Sequence, residues 1–432
     1  MRLALLATIA LTVSAISSTA NAANWPNWRG PTQNGVSTEK GIPAEFGPGK
    51  NVAWQVKLPG PGGASPVVWG DQVYVTSVDE QKLLLQAWST GGKLRWQQQV
   101  GSGNKVVRRD EGNSASPSPV TDGKHVWAMM ANGEIACYTV AGKLAWKRDL
   151  RPVYGPFKIA FGLTASLILE DGKVILQLIH GSRQAKPEED QGLLVALDAA
   201  TGKEAWKQVR TSDAYDENKH SYTSPFIYND GKTKLLISHG ADYTIAYNPA
   251  DGSEVWRKGG LNPQNDPKKK YHRTLRFVAS PTAIPGLIVI PTAKNGPVVA
   301  IRPNGKGDIS NAKSQHVWTR PNNTPDVSCP LIHDGLVYLC RENGNLVCMD
   351  ARTGQEYYHE RTHRQRHRAS PVFVDGKVIC VARDGMVTVV QAGKTFKVLA
   401  QNNLGDSIAA SPAIAGGTMY IRSFGSLWAI RK

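Results

Sequence analysis

The stretch Ala196-Leu197-Asp198-Ala199-Ala200-Thr201-Gly202-Lys203-Glu204-Ala205-Trp206 decides the fold, because the rest of the chain repeats it. The frame returns as Ala136…Gly142-Lys143…Trp146, as Ala246-Tyr247-Asn248…Asp251-Gly252…Trp256 and as Cys348-Met349-Asp350…Thr353-Gly354…Tyr358. A copy one residue shorter runs from Ala87 to Trp96, and two degraded copies end near Trp318 and Phe396. In each, the Asp or Asn ends a strand and accepts backbone N–H groups in a turn. The glycine takes the left-handed position that other residues avoid. The aromatic residue four positions later starts the outgoing strand as a wedge against a neighbouring sheet.

Working outward, each unit opens on a small residue and proline: Ser65-Pro66, Ser118-Pro119, Ser224-Pro225, Ser280-Pro281, Cys329-Pro330, Ser370-Pro371 and Ser411-Pro412, with Ala165-Ser166 as a variant lacking proline. A short apolar strand and a glycine turn follow, for example Asp122-Gly123, Asp171-Gly172, Asp334-Gly335 and Asp375-Gly376. A second strand leads to hairpin signals such as Asn132-Gly133, Asn343-Gly344 and Asp384-Gly385. Eight such glycine turns, each starting a four-stranded unit, predict an all-β, eight-bladed β-propeller of antiparallel blades over residues 51–432. The last unit stops at Lys432 without its aromatic strand, while Val52-Ala53-Trp54-Gln55-Val56 precedes the first Ser-Pro. The N-terminal strand around Trp54 is therefore expected to complete the last blade and remove two open edges. A solenoid of stacked hairpins leaves these complementary ends unexplained.

Residues 1–22 read as a signal peptide: Arg2, an apolar stretch from Leu3 to Ile16, and Ala20-Asn21-Ala22 as the cleavage site. Cleavage after Ala22 predicts a periplasmic or extracellular protein with residues 23–50 as a lead-in segment. No apolar run elsewhere is long enough for a transmembrane helix. The five cysteines, Cys137, Cys329, Cys340, Cys348 and Cys380, fit neither a zinc site nor a disulfide framework and are expected to be buried apolar residues. With a two-residue turn at Asn343-Gly344, Cys340 pairs with Val347 and Cys348 faces the other side of the sheet.

The formal net charge is +16, with 51 Lys and Arg against 35 Asp and Glu. Basic residues concentrate in the connections from each aromatic strand to the next Ser-Pro, which a propeller places on one face. The expected result is an anion-attracting mouth. Its candidate ligand residues are Arg108, Arg109, Lys158, His220, Arg276 and Arg368. Histidines 359, 363 and 367 are too far apart on an extended strand to share one metal ion, so no metal site is expected. No phosphate loop, Ser/His/Asp set or HExxH helix is present, and nothing marks a nucleic-acid partner.

The Ala-x-Asp-x-x-Thr-Gly-x-x-x-Trp frame resembles the tryptophan docking motif of quinoprotein propellers, and the opening Trp25-Pro26-Asn27-Trp28-Arg29-Gly30-Pro31 is similar to the lead-in of secreted PQQ-like repeat proteins. The repeat type also resembles the propeller lipoprotein of the outer-membrane β-barrel assembly machinery, which implies a protein partner. Quinoprotein resemblance implies pyrroloquinoline quinone (PQQ) with Ca²⁺ as a possible cofactor and an alcohol or sugar dehydrogenase as the alternative function. It also implies, for the alcohol-type enzymes, two adjacent cysteines that this sequence lacks. The function expected is that of a binding or scaffold propeller with no catalytic residues, taking a protein, a small anion or an anionic glycan. Trp25 and Trp28 are of a type that stacks on sugars, but packing beneath the ring is their expected role.

Overall fold

A computed structural model describes residues 24–108, 111–186, 189–262 and 274–432. Within them the strands form eight sheets of antiparallel four-stranded order, arranged as successive blades. We number them in chain order: blade 1, residues 67–102; blade 2, 120–149; blade 3, 168–210; blade 4, 226–258; blade 5, 282–320; blade 6, 331–361; blade 7, 372–403; and blade 8, 413–430. Val52–Lys57 adds antiparallel to Ser426–Ile430, with Trp54 opposite Ala429, and so supplies the fourth strand of blade 8. Blade 4 also carries a short parallel strand, Gly307–Asp308, on its outer edge.

Local chemistry dictates these hairpins. Asp171-Gly172, Asp334-Gly335 and Asp375-Gly376 hold positive φ at both turn residues, the mirror-image geometry that matches strand twist. At the defining frame, Asp198 Oδ1 accepts the Thr201 amide at 2.8 Å and its hydroxyl at 2.6 Å, while Gly202 takes φ +69°. A Cβ on Gly202 would lie 2.7 Å from the Trp146 ring of the preceding blade. That close approach lets the Trp146 indole N–H donate to Ala199 O at 2.9 Å. Equivalent bonds join Trp54 to Thr90 O, Trp96 to Val140 O, Trp206 to Pro249 O, Trp256 to Pro303 O and Trp318 to Ala351 O. The copy ending at Trp318 has Arg302 where the frame has Asp and an insertion before the Trp, yet it keeps the interblade contact.

One register differs from expectation. Cys340 pairs with Leu346, and Tyr338 with Cys348, so Cys340 and Cys348 lie on the same face. The turn has three residues, not two: Arg341 and Asn345 close it, Gly344 N–H donates to Arg341 O at 2.9 Å, and Gly344 sits at φ +86°. The additional loop residue shifts the pairing by one and reverses the facing of every residue beyond it. All five cysteines are buried and free.

Around the axis, the first residue of each unit makes a closed hydrogen-bond ring. The amide of Ser65 donates to Ser118 Oγ, Ser118 to Ser166, Ser166 to Ser224, Ser224 to Ser280, Ser280 to Cys329 Sγ, Cys329 to Ser370, Ser370 to Ser411, and Ser411 back to Ser65, all between 2.8 and 3.1 Å. Closure between blades 8 and 1 is reinforced by the fully buried Arg422, whose guanidinium donates to Thr76 O and Gly60 O and to Gly62 O.

Residues 24–50 cross the opposite face from the basic connections. Trp25 exchanges backbone bonds with Val68 at 2.8 Å, Gly35 and Ser37 bracket Phe373, and Glu39 accepts the Gly417 amide. Arg29, 3% exposed, donates to Pro330 O at 2.8 Å and Pro371 O at 3.1 Å, tying blades 6 and 7 together beneath the ring. Trp25 is fully buried, in keeping with a packing role.

Candidate functional site: an axial cavity with a mixed-charge rim

On the face of the long connections, a cavity of about 350 Å³ occupies the axis. Strand alternation explains its walls, because every second residue of an inner segment points to the axis. Ring residues Ser65, Ser118, Ser166, Ser224, Ser370 and Ser411 form the deep layer, and the residues two positions earlier form the next: Gly63, Ser116, Thr164, Tyr222, Val278, Val327, Arg368 and Ala409. Trp28 lines both this cavity and a smaller void on the lead-in side, so the lead-in forms the floor.

The rim carries the charges. Arg108 lies 4.2 Å and Arg276 4.5 Å from the centroid of the same Phe161 ring, a cation–π arrangement at both guanidiniums. Arg276 also faces Glu217 at 3.3 Å. Arg368 is held between Glu111 at 3.0 Å and Glu342 at 3.1 Å, and Lys294 lies 3.6 Å from Glu342. Burial raises the Glu111 pKa, but hydrogen bonding and charge from Arg368, with further charge from Arg366, outweigh it and hold the carboxyl below its ordinary value. Asp326 is the opposite case: burial, then the neighbouring Glu342 charge, push its pKa up. Its backbone sits at φ +72°, a strained conformation for aspartate that turns up at ligand-facing positions.

Of the residues expected from sequence, Arg108, Arg276 and Arg368 line the cavity. Arg109 lies outside the described residues, as do the 1–22 segment and Lys268-Lys269-Lys270. Lys158 is exposed and does not line the cavity; its carbonyl accepts the Gly181 amide at 2.8 Å. His220, four residues before its ring serine like Arg276, is 2% exposed and turned away: the 3₁₀ turn Asp216–Lys219 directs it to Gly181 O at 2.9 Å. Histidines 359, 363 and 367 occupy three separate environments, against Arg341 and Asn345, against Asp384, and buried on Gln365 O.

Among the described residues the cavity lining is mixed in charge: four cations, Arg108, Arg276, Lys294 and Arg368, stand with three carboxyls, Glu111, Asp326 and Glu342. Counting basic residues along the connections missed the acids: Glu111 stands at the end of a basic run, Asp326 in the connection into blade 6, and Glu342 in a turn within blade 6. The aromatic pair Phe161 and Tyr222 was missed as well; their ring centroids are 5.7 Å apart, and Tyr222 Oη accepts the Phe161 amide at 3.2 Å.

A family model described as outer membrane protein assembly factor BamB matches residues 47–151, 89–357 and 241–431. No curated protein matches the sequence. Among solved structures, BamB from Moraxella catarrhalis superposes with a TM-score of 0.61 at 14% identity, over 88% of this chain and 99% of that one. Quinohemoprotein alcohol dehydrogenase from Comamonas testosteroni gives 0.68 at 14% identity, over 95% and 81% of the two chains. A europium-containing methanol dehydrogenase gives 0.68 at 13% identity, over 94% and 90%. These three share the fold with this chain. The family matches overlap and run through all eight blades, and the chain belongs to the PQQ-like propeller family of BamB.

Proposed function

We propose that this protein is an exported binding propeller that takes a small organic anion in its axial cavity. The observation that carries the reading is the juxtaposition, at the open end of a blind axial cavity, of Arg108, Arg276 and Arg368 with the Phe161 ring. Guanidiniums give a carboxylate two parallel hydrogen bonds, and the Phe161 ring against which Arg108 and Arg276 both rest holds them at the mouth. Serine hydroxyls and Thr164 supply neutral partners deeper in.

PQQ with Ca²⁺, the cofactor implied by the quinoprotein resemblance, fits this donor set poorly. Among the described residues no group of three or more His, Cys, Asp or Glu side chains could hold a metal ion. None of the five cysteines lines the cavity, and Glu111 and Glu342 face Arg368. We derive no redox step. Export rests on the sequence of residues 1–22, and among the described residues no helix is long and apolar enough to cross a membrane.

The test is calorimetric titration of the purified protein with citrate, succinate and PQQ, the last with and without Ca²⁺, alongside a dye-reduction assay on alcohols and sugars. Carboxylate binding that weakens about tenfold or more in Arg276→Gln supports the reading, since a charge-assisted fork is worth that much. Ca²⁺-dependent PQQ binding with dye reduction overturns it in favour of an oxidoreductase. For export, the mass of protein recovered from the periplasmic fraction should correspond to a chain beginning at Ala23.

A further inference from the structure

We propose that Arg366 and Arg368 form a carboxylate subsite of the axial cavity that the chain's own Glu111 now fills, and that a short polycarboxylate binds there by displacing it. The inference rests on the reading of the cavity as a ligand site and names the group the ligand must replace.

Glu111 belongs to the connection between blades 1 and 2, whereas Arg366 and Arg368 lead into blade 7. Counting round the ring through blade 8, these segments are three blades apart, so the contact spans the mouth. Its geometry is that of a bound ligand on an arginine fork. Glu111 Oε1 accepts from Arg368 Nη2 at 3.0 Å and from Arg366 Nη1 at 2.5 Å, while Oε2 accepts from Arg368 Nε at 3.2 Å.

The backbone that carries Glu111 is fastened on either side of it. Val107 N–H bonds to Gly112 O, Lys105 N–H to Ser114 Oγ, and Ser114 N–H to Asn104 Oδ1, all within the same connection. Val106 is 59% exposed and Arg108 sits at φ +41°. The described part of the connection is anchored by the buried Val107 and by Ser114, whose carbonyl accepts the Ala131 amide, so exchange needs Glu111 to swing out between these anchors and not the whole connection to open.

Charge favours exchange. With Glu111 in place the cavity lining holds four cations and three carboxyls; with it withdrawn, four and two. Arg368 keeps Glu342 at 3.1 Å throughout, so the guanidinium never loses both partners. A ligand carboxylate at Arg368 leaves a second one free for Arg276, which lines the same cavity from the connection into blade 5. That geometry selects short di- and tricarboxylates over monocarboxylates.

Limited trypsinolysis and calorimetry test the idea on the full mature protein. The cleavage rate after Arg108, followed by fragment mass, reports release of the segment between the anchors. Glu111→Gln is expected to raise that rate several-fold without ligand and to tighten citrate binding about tenfold. Citrate should accelerate cleavage of the wild type and leave Glu111→Gln unchanged. Glu342→Gln, which makes the same charge change on Arg368, controls for general electrostatics: its citrate affinity should rise less than that of Glu111→Gln and its cleavage rate should stay at the wild-type value, and an equal rise in both would overturn displacement of Glu111. If citrate and succinate bind both proteins equally and cleavage is unaltered, the subsite is overturned while the ligand-cavity reading stands. If Glu111→Gln cleaves faster yet neither protein binds either probe, the subsite and the ligand reading both fall, leaving Glu111 as a structural tie.

Discussion

Replacing Ser224 with alanine removes the acceptor of the buried Ser166 amide. An orphaned buried amide costs about 1–3 kcal/mol, so the urea midpoint of Ser224→Ala should fall accordingly. Cys329→Ser, which substitutes the better acceptor at the one ring position held by sulfur, should hold or slightly raise the midpoint. Buried titratable residues set the pH response at this scale. Burial lowers the His180 pKa from 6.5 to about 4, with Asp190 pulling the other way, and its ring lies tilted against Phe157 with centroids 4.8 Å apart. The unfolded chain binds this proton below about pH 6.5 and the folded chain only below about 4, so stability is lost as pH falls through that window. His367, buried and also lowered to about 4, adds to the same slope. Asp242 opposes it: burial raises its pKa from 3.8 to about 8 against the pull of Asn262, Arg210 and Asn218, so its contribution is lost as pH rises between those values. His180→Phe should flatten the acid limb of a urea-midpoint profile between pH 4 and 6.5, and Asp242→Asn should remove the opposing slope.

At the scale of elements, the interblade contact of Trp146 combines a large half-buried ring, a left-handed glycine and an indole hydrogen bond. Trp146→Leu keeps an apolar side chain but empties the slot over Gly202 and should cost about 3 kcal/mol in chemical denaturation. Gly202→Ala should cost more than the usual glycine-to-alanine change, because its Cβ meets the indole and its φ of +69° is unfavourable for alanine. The sequence displayed this element almost completely, since each part of the frame has its own local reason to be there. It did not display the turn length at Asn343-Gly344. A two-residue and a three-residue turn both use glycine at positive φ, and cross-strand packing selects between them, which is why the facing of Cys348 came out reversed.

For the whole molecule, closure of the ring is the decisive energetic event. Without Val52–Lys57, the Ser426–Ile430 strand would present an open, largely apolar edge, and the interblade bond from Trp54 to Thr90 would be lost. A truncation that starts at Pro59 should therefore self-associate, visible as higher-order species in light scattering, while the full mature chain does not. The lead-in acts at the same scale: Arg29 reaches the carbonyls of two blades, and Trp28 closes the axis from below.

Sequence alone determined the blade count, the strand order and the identity of the closing strand, because those follow from local patterns repeated along the chain and from two complementary ends. It also pointed to Arg276 and Arg368 by their nearness to a ring serine, but the same nearness pointed to His220, which the fold turns away. Only the tertiary structure decided what the mouth is. Connections from blades distant in sequence converge over one axis there, so that Glu111 meets Arg368 and Phe161 lies between Arg108 and Arg276. Charges summed along a chain carry no information about which of them meet in space, and only the fold brings Glu111 and Glu342 onto Arg368.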